Sequence, residues 1–158
     1  MKQEEIVEIL TKTGCLEGYG EENTSIDSMR LFEDPIVTNR LAVELLQQLP
    51  EGTKLDTILC LHNDEMLFAY SVATAAWARF VYADENEGAI SLINGQSINK
   101  NSKVLIIDDV LDDSSCVNAL VEEMKKSKAK VIGVASLFSY LSEDELDVPS
   151  FTLLTLKK

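Results

Sequence analysis

Acidic pairs at three separate places are the side chains of this sequence best suited to do chemistry. They are Asp64-Glu65 in the segment His62-Asn63-Asp64-Glu65, then Asp84-Glu85, then Asp108-Asp109 followed by Asp112-Asp113-Ser114-Ser115-Cys116. Brought together, these eight carboxylates would offer oxygen ligands to a hard cation such as Mg²⁺ or Ca²⁺, with Asp108 and Asp109 as the candidates, or would hold a polyamine. Their spacing matches no EF-hand or other dedicated metal loop, and solvated loop acids without a ligand are the plainer reading. Cys116 stands near the start of a helical run, a position that favours thiolate. Asp112 and Asp113 oppose that, so Cys116 is read as an inert small residue. His62 has no Ser, Cys or Asp at a recognisable catalytic spacing and is assigned to hydrogen bonding in a loop. Asp113 can cap the helix that follows, through the N–H of Ser115 or Cys116.

The elements that must position these groups follow from periodicity. Ile6, Val7, Ile9 and Leu10 predict a helix over 2–12 that Gly14 ends. Residues 14–30, rich in Gly, Glu and Ser, read as loop. Asp34-Pro35 is an N-cap with proline at the first helical position, and the run Ile36, Val37, Leu41, Leu45, Leu46, Leu49 continues as a helix stopped by Pro50 and Gly52. Thr57–Leu61 reads as a short buried strand, and 65–78 as a helix apolar on nearly every face, with Phe68 and Trp77 in the core or at a dimer contact. A strand over 80–83 precedes a polar stretch to residue 102 that can hold a hairpin. The strand 104–107 ends in Asp108-Asp109. A helix at 114–127 follows, with Lys125, Lys126 and Lys128 complementing its C-terminal dipole, then strands at 130–138 and 151–156. Short apolar strands alternating with helices predict one α/β domain over 1–158 with a mostly parallel sheet covered on both faces. Ligands then bind beyond the carboxyl ends of the strands, where all three acidic pairs lie.

Charge narrows the partners. Fourteen Lys and Arg against 27 Asp and Glu leave a net charge of −13. That balance argues against nucleic acid, whose binding needs cations to displace phosphate counterions, and against anionic membrane surfaces. No apolar run reaches spanning length, and the N-terminal residues lack a basic head and cleavage site. Cys15, Cys60 and Cys116 form no CxxC. Reduced thiols and a cytoplasmic location are the expectation.

Several segments taken in order resemble the phosphoribosyltransferase family, and most closely the orotate phosphoribosyltransferases. They are TGCLEG at 13–18, IDSMRLFEDP at 26–35, ILCLHNDEMLFAYSVA at 58–73, FVYADENEGAISLINGQSINKNSKVLIIDDV at 80–110, AKVIGVASLF at 129–138 and VPSFTLLTL at 148–156. VLIIDDV also looks like the first strand of a receiver domain, but such a domain needs far more chain than the 49 residues that follow Asp109. The resemblance implies a type I phosphoribosyltransferase fold with a reduced N-terminal hood, a homodimer, and Asp108 and Asp109 in the place of the family's ribose-contacting acids. It also implies an activity in nucleotide metabolism: transfer of ribose 5-phosphate from phosphoribosyl pyrophosphate to a base, with Mg²⁺ on the pyrophosphate.

The loops depart from that pattern. Where the family cradles the 5-phosphate in a glycine-rich helix N-terminus, this chain has Asp112-Asp113-Ser114-Ser115-Cys116. Asp64-Glu65 replace the Gly-Gly of the pyrophosphate loop, Asp84-Glu85 replace a basic pair, and Asp27-Ser28-Met29 stand where a donor-binding lysine is usual. Two unit charges ~6 Å apart interact by about 3 kcal/mol at an effective dielectric of ~20, so exchanging a cation for an acid beside a phosphate swings about 6 kcal/mol before screening. Millimolar-to-micromolar affinity is worth only about 4–8 kcal/mol. The expectation is therefore a non-catalytic relative with a binding or regulatory role and no required cofactor. The alternatives are an active transferase with a modified donor site, and an acid-lined binder of divalent cations or polyamines. On the first reading, Asp113 puts a built-in carboxylate where the phosphate would sit.

Overall fold

The computed structural model describes residues 1–93 and 95–157. Its elements run α1 (Gln3–Lys12), β1 (Leu16–Glu17), β2 (Ser25–Ile26), α2 (Ser28–Phe32), α3 (Pro35–Leu46), β3 (Thr57–Leu61), α4 (Met66–Ala76), β4 (Arg79–Asn86), β5 (Ala89–Leu92), β6 (Lys103–Leu111), α5 (Ser115–Lys126), β7 (Lys130–Ser139), a 3₁₀ turn (Glu143–Glu145) and β8 (Ser150–Thr155). Six strands form one sheet in the order β5-β4-β3-β6-β7-β8. Every pairing is parallel except the β4–β5 hairpin at the edge. The alternation of strands and helices thus yields the mostly parallel α/β sheet that the sequence predicts.

Both faces are covered because each strand alternates its side chains across the sheet. Ile58, Cys60, Leu105, Ile107, Ala135 and Leu137 join a core with α1, α3 and α4. Leu59, Val81, Ala83, Val104, Ile106 and Val134 face the other way and pack with Val117, Leu120, Val121 and Met124 of α5, at helical spacing. Gly133 in β7 is required by a close approach. A Cβ there would lie 2.7 Å from the Pro149 carbonyl oxygen and 2.8 Å from the Phe151 ring.

Local signals hold where they are chemical. Asp34 Oδ1 accepts from the Val37 N–H at 3.2 Å and Pro35 opens α3. Lys125 and Lys126 close α5. Several expectations need correction. The 14–30 loop contains the β1–β2 pair and the short helix α2. The strand read at 80–83 runs over Arg79–Asn86, because pairing with β5 carries it past the buried residues. The hairpin expected in 84–102 is present, with its turn at Glu87-Gly88, while Asn94 lies outside the described residues. The strand read at 104–107 extends to Leu111, so Asp108 and Asp109 sit within β6, not beyond it: their backbone continues the ladder with β7. The helix at 65–78 is not buried all round. Phe68, Ala69, Val72 and Ala73 face the core, whereas Leu67, Tyr70 and Trp77 are exposed, Trp77 at 96%.

Candidate functional site

Parallel strands bring their carboxyl ends to one edge of the sheet, and a cavity of about 690 Å³ lies there. Its floor is built by β3, β6 and the loop into α4. The registers Leu59↔Ile106 and Leu61↔Ala83 level the ends of the three central strands, so the residues that follow β3 face those at the end of β6. Of the acids read from sequence, Asp64, Glu65, Asp108, Asp109, Asp112 and Asp113 line the cavity, together with Ser115 and Cys116.

The deepest group is a triad of carboxylates. Glu65, Asp108 and Asp109 each bring an oxygen within 4.8 Å of the others. Glu65 is only 8% exposed, and its N–H donates to Asn63 Oδ1 at 3.0 Å, which turns its side chain inward. Burial pushes the Glu65 carboxyl up, with the Asp109 charge adding to it. Burial also pushes Asp108 up, strengthened by its hydrogen bond to Glu65 and by the charges of Glu65 and Asp109. Two carboxyls in hydrogen-bond contact must hold a proton between them, since two buried like charges cannot both ionise. Asp109 accepts from the Val110 N–H at 2.9 Å and is also in hydrogen-bond contact with Asp108.

The field of this triad reaches the thiols below. Cys15 is pushed up to about 12, by burial first and then by Asp109 and Asp27. Cys60 rises for the same first reason, with Glu65 and Asp108 contributing. The Cys116 thiol is raised by burial and by the Glu85 charge, so it is protonated at neutral pH despite its place in the first turn of α5.

At the cavity mouth, Asp113 Oδ1 accepts from the Ser115 N–H at 2.7 Å. The expected carboxylate cap is present, with the helix beginning at Ser115 and Ser114 in the N-cap position. Ser114 contributes its backbone carbonyl to the Asn118 N–H and does not line the cavity. Asp84 and Glu85 also stay out of the lining. Asp84 Oδ1 lies 3.2 Å from His62 Nδ1, and Glu85 accepts from the Gly88 N–H at 2.7 Å, so β4's acids serve the exposed hairpin. His62 therefore does have an acidic partner, one that only the β3–β4 pairing reveals.

Asp27, Ser28 and Met29, which the sequence placed at a donor-binding position but not among the paired acids, also line the cavity, and so do Phe32 of α2 and Tyr140 after β7, which sequence reading omitted. Asp27 carried a signal, its position in the 26–35 segment, whereas nothing local marks Tyr140. Seven carboxylates thus face the cavity, and no Lys, Arg or His is among the described residues lining it. The neighbouring Arg30 is bound to Asp27 at 3.7 Å and Glu33 at 3.6 Å.

Comparison with known proteins agrees with this architecture. The sequence pattern of the family "Phosphoribosyl transferase domain" matches residues 32–153. An orotate phosphoribosyltransferase of Desulforamulus reducens is 29% identical over 144 residues, covering 87% of this chain and 75% of the relative. Another, from a Nitratiruptor species, is 29% identical over 113 residues, covering 71% of this chain and 56% of the relative. The crystal structure of an adenine phosphoribosyltransferase from Thermoanaerobacter pseudethanolicus superimposes with a TM-score of 0.74 at 19% identity, covering 98% of this chain and all of that one.

Proposed function

This chain belongs to the phosphoribosyl transferase domain family, and from that membership we propose that it is a member whose donor site no longer holds phosphoribosyl pyrophosphate, so that it acts by binding at the acid-lined cavity instead of by phosphoribosyl transfer. One observation carries this reading. The cavity at the carboxyl edge of the sheet is lined by Asp27, Asp64, Glu65, Asp108, Asp109, Asp112 and Asp113 and by no cationic side chain among the described residues.

The physical argument rests on what a phosphorylated donor needs. A diphosphate and a 5-phosphate require N–H donors and cations at close range. Here the Ser115 N–H at the start of α5 is already taken by the Asp113 carboxylate, and an incoming phosphate would meet Asp112 and Asp113 together. Each acid within ~6 Å of a phosphate charge opposes it by about 3 kcal/mol at an effective dielectric of ~20. The donor set of Glu65, Asp108 and Asp109 does fit a hard cation. Those residues would hold Mg²⁺, whose charge would displace the shared proton and relieve part of the repulsion at the floor.

A second reading is an active transferase in which Asp108 and Asp109 hold a ribose. It is favoured by their position at the end of β6, facing a cavity large enough for a nucleotide-sized ligand. Calorimetric titration of phosphoribosyl pyrophosphate into folded protein, with and without Mg²⁺, separates the two. No saturating heat up to low-millimolar ligand is expected. Saturation in the micromolar to low-millimolar range would overturn the first reading and direct a search for base-dependent turnover. Mg²⁺ or spermidine alone, titrated in parallel, tests whether the ligand is a cation.

A further inference from the structure

The chain's cations gather at the edge of the sheet opposite the acid-lined cavity. Eight of its 14 Lys and Arg stand where strands begin: Lys54 before β3, Arg79 opening β4, Lys100 and Lys103 at the start of β6, and four between residues 125 and 130, where α5 passes into β7. Lys125 and Lys126 are accounted for. They bind Glu122 and Glu123 at 3.0 and 3.7 Å and complement the dipole at the end of α5. Arg79, Lys100, Lys103, Lys128 and Lys130 form no ion pair among the described residues, although acids outnumber bases by 27 to 14. The register of β6 and β7 also sets Lys103 directly beside Lys130, a like-charge pairing that costs stability unless an anion lies against it.

A pocket of about 360 Å³ opens at this edge, lined by Thr57, Arg79, Asn99, Lys100, Asn101 and Ser102, with Asp56 as the one acid among the described residues lining it. Its walls are tied together through the backbone. The Asn101 N–H donates to the Lys128 carbonyl at 3.0 Å and the Lys130 N–H to the Ser102 carbonyl at 2.8 Å, joining the loop before β6 to the α5–β7 turn. The Arg79 guanidinium donates to the Ser97 carbonyl, which holds it against the same loop. Both Asp56 oxygens are engaged, one by the Lys103 N–H at 3.1 Å and the other by the Thr57 hydroxyl at 2.8 Å. Ser102 is only 8% exposed, and its hydroxyl makes no hydrogen bond among the described residues. A nearly buried hydroxyl without a partner is costly, and a ligand oxygen in the pocket would supply one.

We propose that this pocket binds a phosphate group, free or as a monoester, through Arg79, Lys100 and the Ser102 hydroxyl, with the charges of Lys103 and Lys130 adding to the attraction. The planar guanidinium forks onto two phosphate oxygens and the ammonium acts as a point charge, while hydroxyl and side-chain amide donors reach the rest. Donors converging on a concave pocket suit a tetrahedral oxyanion better than a flat carboxylate. The acids at the carboxyl edge do not cancel this field. Asp108 lies five residues along β6 from Lys103, about 17 Å at ~3.3 Å per residue, twice the ~8 Å over which salt screens exposed charges. The site stands at the opposite edge from the acid-lined cavity, so it does not depend on what that cavity holds.

Amide NMR spectra of isotope-labelled protein, in chloride buffer with chelator, test the assignment. Inorganic phosphate and glycerol phosphate are titrated separately, with sodium chloride at matched ionic strength as the control. The backbone amides of residues 99–103 should shift saturably, with half-saturation at about 1 mM or below, and chloride should not reproduce the shifts. Arg79→Gln and Lys100→Gln should each weaken binding about 10-fold, as loss of a charged hydrogen-bond donor does. Lys100 is exposed and makes no ion pair among the described residues, so its substitution keeps the fold and the wild-type spectrum elsewhere. Tighter binding of glycerol phosphate supports the site with a phosphorylated metabolite as ligand, and equal binding supports it with free phosphate. The proposal is overturned by the absence of saturable shifts up to about 20 mM phosphate, by shifts that chloride matches, or by binding that survives both substitutions. Shifts confined to residues 112–116 overturn it too, and they alone would also return phosphate to the acid-lined cavity.

Discussion

Replacing Asp108 by Asn should stabilise the protein at neutral pH, against the usual outcome of changing a buried residue. In the native state Asp108 is held up by burial and by Glu65 and Asp109, while in the unfolded chain it returns to its ordinary value of 3.8. The native state therefore binds more protons than the unfolded state above that value, and stability falls as pH rises from about 4. Each unit of pH in that window costs about 1.36 kcal/mol, so a proton fully retained to pH 7 amounts to roughly 4 kcal/mol. Glu65 shares that proton, and about half, ~2 kcal/mol, is assigned to Asp108. An Asn amide donates to Glu65 in place of the shared proton and carries no charge. Thermal unfolding of Asp108→Asn and wild type, with chelator present, should coincide near pH 4. At pH 7 the variant should melt higher by about 4–8 °C for a chain of this size. A variant equally destabilised at both pH values would refute the shared proton and show Asp108 ionised and satisfied by hydrogen bonds.

Two further outcomes follow from the same site. Asp113→Ala removes the acceptor for the Ser115 N–H and should cost about 0.5–2 kcal/mol in denaturant unfolding, as loss of a helix-start carboxylate does. Cys15 and Cys60 are buried thiols pushed up in pKa, so an alkylating reagent at pH 8 should modify neither in native protein and both after unfolding, counted by mass spectrometry.

Much of the fold was legible because its causes are local. The Asp34-Pro35 start of α3, the apolar strand Thr57–Leu61 and the 3.6-residue stripe of α5 each depend on a few neighbouring residues. The acids of the candidate site were also legible, since a parallel sheet sends all its strand ends to one edge. The order of motifs carried the family resemblance, and the match over residues 32–153 agrees with it.

What the sequence determined by itself was the alternation of elements, the acidity of the loops and the carboxylate at the start of α5. Tertiary structure decided which acids meet. Asp84 and Glu85, read alongside the others, are held on the β4–β5 hairpin by His62 and Gly88, while Asp27 and Tyr140 enter the cavity from segments far away in the chain. It also decided that Trp77, apolar and on an apolar helix, points to water. Period and composition describe one segment against an average environment, but a shared proton, a cavity lining and an exposed helix face are properties of contacts between distant segments, fixed only once the sheet's order and register are set.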